Sequence, residues 1–188
     1  MLTRRSLLRL LGAGLTVVSL PTPARAQRSA AASLEHLVRL SRLIVVGTPV
    51  AGEGRWEPVG GRRRIVTYHR VRVDEVVTGT NPDRELSVRT LGGRVGKIGQ
   101  IVHGAVRLRR GQSSVLFLRD LHAGVLVVTG MAQGHFPLVG DADGQRRLTI
   151  SPYRGDLADD PDSAARRLSG QTLVEAVRRI QESRRRGE

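Results

Sequence analysis

Apolar and polar positions alternate between residues 64 and 77. Ile65, Thr67, His69, Val71 and Val73 share one parity, and Val66, Tyr68, Arg70, Arg72 and Asp74 the other. Period-two alternation over that length predicts a long strand with one buried and one wetter face. Residues 85–91 alternate in the same way and read as its partner, after the turn cluster Gly79-Thr80-Asn81-Pro82-Asp83. Residues 43–50, Leu-Ile-Val-Val-Gly-Thr-Pro-Val, are apolar on both parities in their first half, which predicts a strand buried on both faces. Shorter strands are predicted at 106–108, 115–118 and 125–129. A hairpin is predicted from 136–139 and 147–150, turned by Asp141-Ala142-Asp143-Gly144. The glycine- and charge-rich residues 52–63, which contain Trp56, read as a loop.

Helical spacing occurs twice. Ser33 stands as an N-cap before Leu34, Leu37, Val38 and Leu40, with Glu35 in the first turn, so a short helix over 34–42 is predicted. Thr172-Leu173-Val174-Glu175 is a capping box that opens a helix with Leu173, Ala176, Val177 and Ile180 on one face and Arg184-Arg185-Arg186 at its end. Residues 151–170 hold two prolines, Asp156, Asp159, Asp160 and Asp162, a linker composition. The predicted fold class is mainly β: a small barrel or sandwich flanked by a short N-terminal helix and a C-terminal amphipathic helix.

Residues 1–26 change where this fold is expected to work. Arg4 and Arg5 precede an apolar run over 10–20, and Ala24-Arg25-Ala26 ends the segment in the small-x-small pattern a signal peptidase accepts. The run is too short for a membrane anchor, which needs about 20 apolar residues. A cleaved twin-arginine signal is therefore expected, with cleavage after Ala26 and a periplasmic or secreted mature protein. The organisation reads as signal 1–26, disordered leader 27–32, β-barrel domain 33–150, linker 151–170 and basic C-terminal helix 171–188. The chain has no cysteine, so thiol chemistry, thiolate metal sites and disulfides are excluded.

The formal net charge is +14, and the signal 1–26 contributes four arginines and no acid. Nucleic acid is not the expected partner, because the five aromatic residues are not interleaved with the bases as stacking platforms. An envelope protein or an anionic polymer is expected instead. Membrane contact is expected only during export, apart from a weak headgroup contact by the basic tail.

Five glycines, Gly92, Gly93, Gly96, Gly99 and Gly104, crowd one segment. A phosphate loop ending in Gly96-Lys97 would need glycine where Leu91 stands and Ser or Thr where Ile98 stands. The glycines read instead as corners and bulges, leaving a binding loop with Arg94, Lys97, Gln100 and His103. Gln133 and His135 complete the candidate binding surface. No catalytic residue, metal ligand or cofactor is assigned. Ser113 lacks the second glycine of a nucleophile elbow, since position 115 is Val. Two other readings compete with a non-enzymatic binding domain. One is a hydrolase or metalloenzyme whose site is assembled from His69, His103, His135 and scattered acids. The other is a structural component of an exported assembly, docked by the C-terminal helix.

Leu-Ile-Val-Val-Gly-Thr (43–48), Val-Asp-Glu-Val-Val-Thr-Gly (73–79), the glycine segment 91–100 and Gly-Met-Ala-Gln-Gly-His-Phe (130–136) together resemble an exported bacterial family of unknown function. The strand–turn–strand that follows Val-Val-Gly-Thr also resembles the netrin-like barrel of the tissue inhibitors of metalloproteinases. That resemblance implies an OB-type barrel. The inhibitory mechanism needs an N-terminal cysteine, which this chain lacks, so only the barrel is implied.

Overall fold

The computed structural model describes residues 30–80, 83–122, 124–153 and 160–187. The signal motif at Arg4 and Arg5 and the cleavage point at Ala26 lie outside the described residues. The fold is mainly β with three helices. Its strands are β1 (Leu43–Val59), β2 (Arg62–Thr78), β3 (Glu85–Leu91), β4 (Gly93–Val95), β5 (Ile98–Gln100), β6 (Ser114–His122), β7 (Val125–Val128), β8 (His135–Gly140) and β9 (Arg146–Leu148). The helices are α1 (Leu34–Leu40), α2 (Ala164–Leu168) and α3 (Leu173–Gly187).

Five strands pair in the order β1-β2-β3-β7-β6, and β6 pairs again with β1, so the sheet closes into a ring. The β3–β7 pair is parallel, with Ser87 opposite Val125 and Arg89 opposite Val127, while the other pairs of the ring are antiparallel. β8 extends from the other edge of β6 and carries β9. Closure demands strong curvature in β1, and three register shifts against β2 supply it, the last between Pro49 and Ala51.

Closure also explains the unbroken apolar run that begins β1. Leu43 and Val45 face into the ring with Val71, Val88, Leu116, Leu118, Leu126 and Val128. Ile44 and Val46 face outward into a second core with Leu34, Leu37 and Val38 of α1, Val115 and Phe117 of β6, Phe136, and Ala176 and Ile180 of α3. Phe117 and Phe136 meet edge to face, ring centroids 5.9 Å apart. A strand between two cores has no wet face, so its sequence cannot alternate.

The caps close as the sequence predicts. The His36 N–H donates to Ser33 Oγ at 3.1 Å at the start of α1. In α3 the Thr172 N–H donates to Glu175 Oε2 at 2.9 Å and the Glu175 N–H donates back to Thr172 Oγ1 at 3.3 Å. At the far end of α3, Arg184 Nη1 donates to the carbonyls of Val38 and Ser41 at 3.1 Å each, satisfying acceptors left free where α1 stops.

Four segments differ from the sequence reading. Residues 52–63 are not a loop: β1 and β2 continue through them as an antiparallel ribbon to the Gly60-Gly61 turn. Residues 106–108 join no ladder; Val106 and Leu108 are buried against the inner core from an irregular segment. The stretch 151–170 contains α2, whose Ala164 N–H donates to Ala32 O at 2.9 Å and whose Leu168 is fully buried. Ala32, read as part of a disordered leader, is tied from both sides, because its N–H also donates to Gln133 Oε1 at 2.6 Å.

Candidate functional site

The glycine segment folds as a small hairpin, β4 and β5, laid across β1 and β2. Close approach decides two of its glycines. A Cβ on Gly54 of β1 would strike the Arg94 carbonyl, and one on Gly93, whose φ is +124°, would strike Thr67 Oγ1. With both positions bare, the Gly92 N–H donates to Ile65 O at 2.8 Å, and the Ile65 N–H donates to Gln100 Oε1 at 2.6 Å. Gln100 thus fastens the hairpin to β2 rather than reaching for a ligand.

This packing leaves a cleft of about 580 Å³ between β4–β5, the mouth of the ring and residues 101–110. Pro49, Ala51 and Gly52 form one wall, Val102, Val106 and Leu108 another. Thr67, His69 and Thr90 supply polar groups from the ring interior, and Arg94, Arg107 and Arg110 supply the charge. Among the described residues no carboxylate lines the cleft. Among the described residues Arg94 and Arg110 form no ion pair. Arg107 lies over the Tyr153 ring at 4.7 Å, and Arg109 Nη2 donates to the Tyr153 hydroxyl at 3.1 Å. That stacking fixes Arg107 at the rim without neutralising it.

His69 is half-buried beside the buried Thr90, with Nε2 3.1 Å from Thr90 Oγ1. Burial pushes its ring down to about 4. At neutral pH it is therefore an uncharged hydrogen-bonding group, and the positive potential of the cleft comes from the arginines. A site of this kind can hold an anion by charge and hydrogen bonds.

The structure separates the residues that the sequence grouped. Arg94 and Gln100 line the cleft, whereas Lys97 and His103 are exposed on turns outside it. Gln133 lies in a short 3₁₀ turn, Met131–Gly134, and is occupied by Ala32. His135 is 2% exposed, with Nε2 3.1 Å from Ser114 Oγ and Nδ1 3.3 Å from Ser151 Oγ. Both serines are buried, so this trio is a satisfied polar knot inside the fold rather than a reachable dyad. His69, His103 and His135 do not converge. Among the described residues no three His, Asp or Glu side chains are placed to hold a metal.

Arg107, Arg110, Thr67 and Thr90 were missed as cleft residues. A signal for Arg107 was present: Val106-Arg107-Leu108 alternates, which puts this arginine opposite two buried aliphatics. No protein-family model and no curated protein sequence matches the chain.

Proposed function

We propose that this is an exported, non-enzymatic OB-type β-barrel protein that binds an anionic polymer of the cell envelope through the arginine-rimmed cleft. The observation that carries the reading is the cleft's composition: three arginines, neutral His69, two threonines and, among the described residues, no carboxylate around one cavity. Such a lining favours anions over cations or neutral sugars, and its length suits several adjacent charged groups. An OB-type barrel is supported by the ring order and by its single parallel pair, which make a five-stranded Greek-key closure with a binding face beside the first hairpin. Export is supported by the arginine pair, short apolar run and small-x-small ending of residues 1–26.

The test uses a sulfated oligosaccharide of defined length as the probe, titrated calorimetrically against the wild-type chain and Arg107→Ala/Arg110→Ala. Charge-assisted hydrogen bonds of this kind are worth about 1.5–3 kcal/mol each. The double variant is therefore expected to bind at least about a hundredfold more weakly, with a shallower dependence on salt. Equal affinity and equal salt slope would remove the cleft from consideration.

A further inference from the structure

The ribbon of β1 and β2 outruns the ring. β3 pairs with β2 only as far as Val66, and β6 pairs with β1 only from Leu43 to Gly47. The rungs from Glu57–Arg64 to Val59–Arg62 consequently have no backbone partner but each other. Three rungs carry the Gly60-Gly61 turn roughly 10 Å beyond the sheet. An isolated two-stranded ribbon is marginal in water, and here the glycine hairpin braces its root through Ile65 and Gln100. The two hairpins project as one unit.

The two hairpins expose apolar and cationic side chains together. Trp56 is 37%, Ile98 57% and Ile101, one residue past β5, 70% exposed. Arg62, Arg63 and Arg64 open β2, and Arg94 and Lys97 lie on the glycine hairpin. The acids of the ribbon are already engaged: Glu57 pairs with Arg89 at 2.9 Å and Glu53 with Arg55 at 3.4 Å. Among the described residues Arg62 and Arg64 have no carboxylate partner. The Arg63 guanidinium lies 5.4 Å from the centre of the Trp56 ring, over its face.

We propose that this double hairpin docks the protein on an anionic phospholipid surface, with Trp56, Ile98 and Ile101 at the headgroup boundary and the arginines on lipid phosphates. Three features select this occupant. Exposed aliphatic side chains gain nothing from a soluble polyanion but leave water at a bilayer. A tryptophan with a cation on its face suits the headgroup layer, where its apolar body and polar edge are both accommodated. That same cation blocks the ring as a stacking platform for a base. The surplus positive charge complements anionic lipid.

The chain's single tryptophan is on the arm, so its emission reports this contact even when the full chain, leader included, is used. Vesicles of phosphatidylglycerol with brominated acyl chains are expected to quench Trp56, and phosphatidylcholine vesicles with the same label are not. Each arginine near an anionic surface contributes about fivefold in partitioning. Arg62→Ala/Arg63→Ala/Arg64→Ala should then require about a hundredfold more lipid for the same quenching, with an unchanged thermal unfolding midpoint. Ile98→Asp/Ile101→Asp should reduce quenching while every arginine remains. Absence of quenching on phosphatidylglycerol, equal quenching on phosphatidylcholine, or wild-type behaviour of the arginine variant would overturn the proposal. So would protection of Trp56 by soluble dextran sulfate without bromolipid quenching, which would replace the bilayer by a polyanion.

Discussion

Acidification should destabilise this fold through His135, and the size of the effect follows from its surroundings. The ring is 2% exposed and touches two buried hydroxyls, Ser114 Oγ at 3.1 Å and Ser151 Oγ at 3.3 Å. A neutral imidazole has one donor and one acceptor, which two hydroxyls can match. The imidazolium has two donors and a charge that burial penalises, and burial pushes the pKa from 6.5 to about 4. Because the folded value lies below the unfolded one, the unfolded chain takes up the proton first. Stability is intact above pH 6.5 and is lost as the pH falls towards 4.

A depression of that size corresponds to a loss of about 1–2 kcal/mol at pH 5.5 and about 2–3 kcal/mol at pH 4.5. His69 adds a loss of the same sign, smaller because its ring borders the open cleft. Urea denaturation at pH 7.5, 5.5 and 4.5, followed by circular dichroism, isolates the His135 share by comparison with His135→Gln. The variant is expected to be less stable at pH 7.5, since its amide cannot reproduce both ring contacts, yet to lose less on acidification. The two stability curves should converge by about 2–3 kcal/mol between pH 7.5 and 4.5. Parallel curves would refute the assignment of a neutral, buried His135.

Three further outcomes test the packing that positions the cleft. Ile180→Ala opens the outer core where α3 meets α1, and a loss of about 2–5 kcal/mol is expected in chemical denaturation. Removing residues 171–188 should unfold the chain altogether, as read by circular dichroism, because Leu173, Ala176 and Ile180 are shared with the ring's outer face. Gly93→Val is expected to cost about 2–4 kcal/mol, combining strain at positive φ with a clash on Thr67 Oγ1. Its sulfated-oligosaccharide affinity should fall with it.

What could be read from the chain was whatever two or three neighbouring residues decide. The alternation of 64–77 and 85–91 fixes which parity faces inward, and those strands pair as expected, Val71 opposite Leu86. Ser33 and the Thr172–Glu175 box set both helix starts. The ribbon over 52–63 was hidden because charge and glycine mimic a loop. Those residues have no core to alternate towards beyond the ring, so period two carries little signal there. The segment 106–108 failed in the opposite sense. Its buried aliphatics alternate like a strand, but they plug the ring from an irregular backbone that no ladder accompanies.

The cleft lies beyond local pattern for a related reason. Arg94 sits on a hairpin fastened by glycines, Arg107 and Arg110 on the plug, and His69 on the ring's inner face; only closure through β1–β6 brings the ring mouth, hairpin and plug together. Gly92, Gly93, Gly96 and Gly104 all have positive φ, as a reading of corners and bulges expects. Gly54 lets the hairpin backbone lie against β1, and Gly93 leaves room for the Thr67 hydroxyl, so the hairpin also becomes a wall of the cleft. The same contact braces the exposed ribbon. Substituting either glycine should therefore weaken a cleft ligand and loosen Trp56 together, whereas substituting Arg110 should affect the ligand alone. The two surfaces share the brace and Arg94, but Arg110 belongs to the cleft alone and Arg62 to Arg64 to the ribbon alone, so that asymmetry tells them apart.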